Sequence, residues 1–181
     1  MMKKVALTLF TIVLLLLPLV FPGIASAISI RYEITDLPDT TPEEERWQYK
    51  YSVSDYTFKA GHGFTLYFDH TLYRKIEGPP PPVNSDWDVK VWQPDPAIPA
   101  TGAYDALSIT SKVDGASLAD GFTVRFVWLG NGTPGPQPFE VYQENPFTIL
   151  GSGVTVSKPS LTPVRPMGKR FEVWGRIKRN R

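Results

Sequence analysis

From residue 28 onward the chain alternates apolar and polar residues with a period of two, in short segments separated by glycine and proline. Ile28, Ile30, Tyr32 and Ile34, for example, alternate with polar residues. Successive side chains of a β-strand point to opposite faces, so each such segment predicts a strand with one face on a core. A sustained helical period with capping residues is absent from this sequence, which therefore predicts an all-β protein.

The alternation predicts eight or nine short strands. The segments are 28–35, 47–53, 64–68, 87–91, 104–109, 122–128, 139–142, 147–156 and 171–177. Turn-forming dipeptides and tripeptides lie between them, among them Asp114-Gly115, Asp120-Gly121 and Gly130-Asn131-Gly132. Many short strands with such turns are typical of an antiparallel two-sheet β-sandwich, of the immunoglobulin-like or jelly-roll-like kind.

The first 27 residues have the three parts of a secretory signal. Lys3 and Lys4 are followed by an uncharged stretch over 5–20, and Ala25-Ser26-Ala27 supplies the small residues of a cleavage site. The alternative is a membrane anchor, but an uncharged stretch of that length is short for a span of about 20 residues. The sequence therefore predicts cleavage after Ala27 and a secreted or periplasmic product.

The distribution of charge divides the rest of the chain into two parts, and the absence of cysteine excludes some kinds of chemistry. Residues 28–164 carry 10 basic and 17 acidic residues, a net charge of −7, whereas residues 165–181 carry seven bases and one acid, a net of +6. We therefore predict a β-sandwich domain over 28–164 and a basic C-terminal strand or tail over 165–181. The chain has no cysteine, which excludes thiol catalysis, Cys-zinc sites and disulfides.

Five strings of the sequence resemble exported bacterial proteins of the PEP-CTERM (exosortase-sorted) type. The strings lie at 47–51, 63–69, 85–107, 114–130 and 132–142, and the resemblance covers about 34–156. It implies a secretory signal, a β-sandwich body and an association with exopolysaccharide-producing, biofilm-forming bacteria, and it implies no catalytic residues. The family's Pro-Glu-Pro motif and apolar span do not occur here, so we expect no anchoring by exosortase.

Catalytic and metal-binding patterns are weak, and we predict no catalytic residues, no metal and no cofactor. The sequence has two histidines, His62 and His70, which the predicted strand places near opposite ends. Leu150-Gly151-Ser152-Gly153 does not match the nucleophile motif G-x-S-x-G. Asp86 and Asp88, together with loop aspartates, leave open a calcium-assisted carbohydrate-binding or carbohydrate-active domain.

Aromatic residues give the most specific functional prediction. If the apolar rows face the core, the other face of each strand points outward. These outward faces carry Tyr67, Trp92, Tyr142 and Trp174. Each of the four is close in sequence to a charged residue. An exposed ring beside a charged side chain suits the apolar face and hydroxyl edge of a sugar. We predict these four as ligand-binding residues. The alternative is that the rings pack beneath loops such as 79–82 or 134–138.

Together these features predict a non-enzymatic component of an extracellular matrix that binds exopolysaccharide or another cell-surface protein. Nucleic acid is not expected as a partner because neither grouped aromatics nor a nucleic-acid motif is present. No membrane span is expected after signal cleavage. A third possibility is a subunit that pairs with another through an open sheet edge.

Overall fold

The computed structural model describes residues 28–41, 44–78 and 83–159, which form an all-β sandwich of two five-stranded sheets. The strands of these residues, in chain order, are β1 (Ser29–Asp36), β2 (Glu45–Ser54), β3 (His62–Phe68), β4 (Tyr73–Glu77), β5 (Trp87–Trp92), β6 (Gly102–Ser108), β7 (Phe122–Trp128), β8 (Pro138–Gln143), β9 (Thr148–Val154) and β10 (Val156–Ser157). The predicted two-sheet sandwich is thereby confirmed.

Each sheet combines strands that are distant in sequence. Sheet A has the order β10-β1-β2-β7-β4, and sheet B has the order β5-β6-β3-β8-β9. Every pair is antiparallel except β1 and β10, which run parallel. The segment predicted as one strand over 147–156 is therefore two strands, because the chain leaves sheet B at Thr155 and joins sheet A.

Strand β4 was not predicted, because its side chains do not follow a period of two. Tyr73 and Ile76 are both buried although they are three residues apart. The pairing of β4 with β7 shifts register between Arg74 and Glu77, and Lys75 between them has a φ of 50°. Such a β-bulge inserts one extra residue and turns the following side chains to the other face.

The core lies between the sheets and consists largely of the apolar rows that the sequence predicts. Phe122 of sheet A packs edge-on against Phe64 and Trp87 of sheet B, with ring centroids 4.8 Å and 5.0 Å apart. Trp87 is 2% exposed, and its Nε1 donates to the carbonyl of Ser117 at 2.8 Å. Edge-to-face pairs of this kind stabilise a core beyond the area that they bury.

One end of the sandwich is closed by a buried glutamine that precedes β8. Gln137 is 1% exposed, and its Nε2 donates to the hydroxyls of Tyr49 at 2.7 Å and Tyr73 at 3.0 Å. Its Oε1 accepts a hydrogen bond from the hydroxyl of Tyr51 at 2.8 Å. This network fixes the segment that precedes β8 against β2 and β4 of sheet A.

Several predictions fall on residues outside the described ranges. These are the signal segment 1–27, the connector 79–82, the basic end 165–181 and the last predicted strand 171–177. Within the ranges that are described, no helix has the length and apolar character needed to cross a membrane.

Candidate functional site: the outer face of sheet B

The face of sheet B that points away from the core gathers aromatic and charged side chains from four neighbouring strands. We call this surface the outer face of sheet B. Its residues are Asp88, Lys90 and Trp92 of β5, Ala103, Asp105 and Leu107 of β6, Gly63, Thr65 and Tyr67 of β3, and Glu140 and Tyr142 of β8. Three of the four predicted binding residues, Tyr67, Trp92 and Tyr142, therefore share one surface. The fourth, Trp174, lies outside the described residues.

Trp92 is the most accessible ring of the outer face, with 51% of its surface exposed. It pairs with Ala103 on β6, and Ala103 pairs with Tyr67 on β3. Neighbouring strands lie about 4.8 Å apart, so Trp92 and Tyr67 are separated by about 10 Å across the small side chain of alanine. Two aromatic residues thus flank Ala103 on this face.

Tyr67 is half-buried, and its hydroxyl donates to the carboxylate of Glu140 at 2.8 Å. Burial and the neighbouring carboxylate together raise the pKa of the Tyr67 hydroxyl to about 12. The phenol therefore remains protonated at all physiological pH values. It holds the Glu140 carboxylate beside the aromatic row, where that carboxylate can still accept further hydrogen bonds.

Tyr142 lies across the backbone of β3 and reaches a carboxylate two strands away. Its hydroxyl is 3.0 Å from both carboxylate oxygens of Asp105 on β6. Gly63 makes this possible, since a Cβ atom at that position would lie only 2.6 Å from the phenol ring of Tyr142. The absence of a side chain on β3 thus lets one aromatic ring bridge three strands.

Asp105 is the central acid of the outer face. It accepts a hydrogen bond from Thr65 Oγ1 at 2.7 Å in addition to that of Tyr142. Burial raises the pKa of the Asp105 carboxyl, although both hydrogen bonds act in the opposite direction. The same burial, followed by the charge of Asp105, raises the pKa of the Tyr142 hydroxyl. A carboxylate held in this way is an acceptor at a fixed position.

The edge of the outer face carries charges of both signs. Lys90 and Asp88 lie two residues apart on β5, with Lys90 Nζ 3.2 Å from Asp88 Oδ2. Both side chains are well exposed, so this ion pair adds little to stability. Lys90 and Asp88 can therefore break this ion pair and bind a polar ligand instead.

Sequence reasoning identified the rings of this surface but missed their partners. Glu140 was noted only as a sequence neighbour of Tyr142, and Asp105 only as one of the aspartates of a possible calcium site. The segment Ala60-Gly61-His62-Gly63 was interpreted as a turn, although Gly63 lies within β3. Cross-strand neighbours depend on register, which alternation alone does not specify. A Gly on an apolar strand that is flanked by aromatic strands is the signal that could have indicated a ring lying across the backbone.

The predicted carboxylate cluster is not brought together. Asp86 is buried and held by Lys112 Nζ at 2.6 Å and by the amide of Ser117 at 2.9 Å, whereas Asp88 faces Lys90. Hydrogen bonding to Lys112 holds the pKa of Asp86 below its usual range. Within 28–41, 44–78 and 83–159, no group of three or more His, Asp or Glu side chains could hold a metal ion.

The two histidines lie at opposite ends of β3, as predicted. His62 Nδ1 is 2.7 Å from the hydroxyl of Tyr56, and His70 Nδ1 is 3.7 Å from a carboxylate oxygen of Asp69. Burial, and then the charge of Lys59, lower the pKa of His62, which favours its neutral form. Each histidine thus has a local partner within its own part of the chain.

Comparison with known proteins adds two distant structural likenesses. A type II cohesin domain from the cellulosome of Acetivibrio cellulolyticus is 12% identical, covers 73% of this chain and 92% of its own, and superposes with a TM-score of 0.39. A type I cohesin–dockerin complex from Clostridium thermocellum is 12% identical over 72% of this chain and 99% of its own, with a TM-score of 0.34. No protein-family model matches the sequence, and no curated protein matches it. At such TM-scores the likeness carries no functional argument.

Proposed function

We propose that this protein is an exported, non-enzymatic β-sandwich protein that binds polysaccharide of an extracellular matrix through the outer face of sheet B. The single observation that supports this most strongly is the grouping of Trp92, Tyr67 and Tyr142 on one sheet face. Tyr67 and Tyr142 donate hydrogen bonds to the carboxylates of Glu140 and Asp105, and Trp92 lies two residues from Lys90 on β5. A sugar presents an apolar face and a hydroxyl edge, and this surface offers a counterpart for both.

The geometry favours binding of an extended polymer. Four antiparallel neighbouring strands form an open surface here, so several units of a polysaccharide chain can contact it at once. The fixed acceptors Asp105 and Glu140 lie on either side of β3 and are two strands apart, about 10 Å. Both already accept hydrogen bonds from tyrosines, which orients their remaining lone pairs.

Affinity electrophoresis of the full-length chain through gels that contain xylan, a mixed-linkage β-glucan or alginate tests the proposal. At least one polymer should retard the protein, and Trp92→Ala should weaken that binding about tenfold or more because it removes the exposed ring. Val113→Ala is the matched control, since Val113 is 93% exposed and lies in the loop between β6 and β7, outside the strands of this face. If no polymer retards the protein, or if Trp92→Ala is retarded as strongly as its parent, the proposal is wrong.

Export is a separate part of the proposal and has a separate test. The N-terminal segment matches a secretory signal that ends at Ala27, and the resemblance to PEP-CTERM-type proteins agrees with export. Mass spectrometry of protein recovered from the periplasm or medium of a producing cell should find Ile28 as the first residue. Recovery of the exported protein with residues 1–27 still attached would contradict cleavage.

A further inference from the structure

Strand β9 forms one edge of sheet B, and its outward side has no strand partner. Among the described residues, β9 pairs with β8 alone. An edge strand presents a row of backbone N–H and C=O groups that can pair with another strand. Ile149, Leu150 and Val154 of β9 are exposed, and so are the flanking Phe147 and Val156. The open edge of β9 therefore carries apolar side chains.

The edge of β9 also lacks the features that protect the other sheet edges. Natural edge strands are commonly blunted by charged side chains or by being very short. Strand β5 carries Asp88 and Lys90, β4 carries three charged residues, and β10 has only two residues. In contrast, β9 is seven residues long, and the whole segment 145–157 contains no charged residue. An uncharged edge of this length predicts an interaction surface.

The other side of the sandwich shows how an edge of this protein is closed. Gln93 follows β5, and its Oε1 accepts a hydrogen bond from the amide of Ile76 on β4 at 2.8 Å. Its Nε2 donates to the carbonyl of the same residue. The Gln93 side chain thus takes the place of a neighbouring strand. In the part of the chain that the structure describes, no side chain bonds to the backbone of β9 in this way.

A second copy of this chain fits the edge of β9 in symmetry and in charge. Two identical strands that pair antiparallel are related by a two-fold axis, so each copy uses the same surface. Residues 28–164 of each copy have a net charge of −7, and two such bodies repel each other. Contact through β9 keeps that repulsion small, because the segment 145–157 is uncharged. The pair also covers the open edge in both copies, which gives a closed dimer and not a fibre.

We propose that two copies of this chain form a dimer by antiparallel pairing of β9, centred on Ser152. The pairing of β9 with β8 is irregular beside Leu150, so the regular part of β9 runs from 151 to 154. Centring on Ser152 uses that part and places the exposed Leu150 of each copy opposite the exposed Val154 of the other. The dimer has one continuous sheet of ten strands, five from each copy. A strand-to-strand interface is smaller than about 1,200 Å², the size of weak complexes, so the dimer should dissociate in the micromolar range.

The dimer goes beyond the proposed function but changes how that function would operate. The two-fold axis of an antiparallel pair is perpendicular to the sheet, so the outer faces of sheet B in both copies point to the same side. If each outer face binds polysaccharide, as proposed above, the dimer can hold one polymer at two points. Linked sites bind more tightly than either site alone without any new contact. This consequence rests on the proposed function, whereas the dimer itself does not.

Sedimentation velocity of the protein purified after export, from about 1 µM to about 1 mM, tests the dimer. The sedimentation coefficient should rise with concentration from that of a monomer to that of a dimer. Val154→Lys places a charge on the paired edge and should weaken the dimer at least about tenfold. Ile109→Lys is the matched control, since Ile109 is 57% exposed, as Val154 is, but follows β6, three strands from β9.

Two results of this experiment would overturn the proposal. One is a monomer at every concentration, which would follow if the segment 165–181 of the same chain covered the edge of β9. The other is equal dimerisation of Val154→Lys and Ile109→Lys, which would place the contact elsewhere.

Cysteine cross-linking tests the register of the pair. Because the chain has no cysteine, Ser152→Cys can form a disulfide only with its counterpart in the second copy. Ser152 is exposed, and residues paired at the two-fold axis have Cα atoms about 4.5–5.5 Å apart, so mild oxidation should give a covalent dimer. Thr148→Cys is the matched control, since its counterpart would lie about 26 Å away. No covalent dimer of Ser152→Cys, or equal yields from both variants, would refute the assignment.

The dimer and polysaccharide binding can fail independently. Trp92 lies on β5, at the opposite edge of sheet B, so Trp92→Ala should lose retention by polysaccharide gels but remain a dimer. Val154→Lys should lose the dimer but keep the binding of each single face. A monomeric Trp92→Ala variant would contradict pairing through β9, whereas a dimer that no polymer retards would contradict the proposed function alone.

Discussion

Replacement of Gln137 by leucine should destabilise the protein mainly through one atom, the hydroxyl of Tyr51. The buried hydroxyl of Thr155 also donates to Gln137 Oε1, but at 3.5 Å it loses a much weaker hydrogen bond. Tyr51 is fully buried, and its hydroxyl donates to Gln137 Oε1 at 2.8 Å. The other hydroxyls of the network keep partners without Gln137, since Tyr49 also donates to the carbonyl of Gly135 at 2.6 Å and lies 3.2 Å from the hydroxyl of Tyr73. Leucine nearly preserves the side-chain volume.

Most of the cost follows from leaving the Tyr51 donor unpaired. A buried donor without a partner costs about 1–3 kcal/mol, so the free energy of unfolding of Gln137→Leu should fall by about that amount. For a domain of this size the midpoint of thermal unfolding should fall by roughly 2–12 °C. Tyr51→Phe in the Gln137→Leu background removes the unpaired hydroxyl and should recover more than half of the loss.

Chemical and thermal unfolding of both single variants and of the double variant, followed by circular dichroism, measures this coupling. Gln48→Leu is the matched control, because Gln48 lies on the outward side of sheet A and bonds to the exposed Arg125. It should change the free energy of unfolding by less than about 0.5 kcal/mol. If the losses of Gln137→Leu and Tyr51→Phe simply add in the double variant, the account of this network is wrong.

Three further predictions concern the outer face of sheet B and the metal question. Gly63→Ala should destabilise the protein by about 1–3 kcal/mol in urea unfolding, since its Cβ would meet the Tyr142 ring at 2.6 Å and a backbone carbonyl at 2.9 Å. Gly135→Ala is the control and should be neutral, because the space around Gly135 is open. Equal effects of the two substitutions would contradict the bridging role of Tyr142. Asp105→Asn should stabilise the protein at pH 7 but not at pH 3. Burial raises the pKa of Asp105 in the folded protein, so ionisation above the unfolded pKa of about 4 disfavours folding. Asparagine keeps the acceptor oxygen but does not ionise. A relative stability of Asp105→Asn that falls between pH 3 and pH 7 would refute that sign. Excess calcium should leave the melting temperature equal to that measured with a chelator, and a rise with calcium would favour the calcium-assisted alternative.

The fold was predictable because most strands keep one apolar row on the core. Phe122, Val124 and Phe126 are all buried, as their alternation indicates. Strand β4 escaped prediction because its bulge places Tyr73 and Ile76 on the same side at a spacing of three. Irregular pairing is a property of two strands together, so neither sequence segment shows it alone.

The candidate site was predictable only in part. The strand faces of Tyr67, Trp92 and Tyr142 follow from alternation, but their partners depend on strand order, which brings β6 and β8 to either side of β3. Tyr67 and Tyr142 are half-buried, and their bonds to Glu140 and Asp105 cross strands distant in sequence.

The cavity of about 430 Å³ beside Tyr73 and Trp128 was not predictable in the same sense. Trp128 belongs to a core row and is buried as that row predicts, yet the space beside it is formed by residues after β3 and before β6 and β8. The ends of strands and the loops between them are not constrained by a period of two. Their meeting point depends on how the two sheets stack.

The central claim is tested most directly by adding a fragment of a polysaccharide that retards the protein in gels. The chemical-shift changes of the backbone amides are then mapped onto the structure. The account predicts that the largest changes lie on the outer face of sheet B, at Trp92, Ala103 and Thr65, with sheet A unaffected. Changes that are largest on the outward side of sheet A, at Gln48 and Arg125, would contradict it.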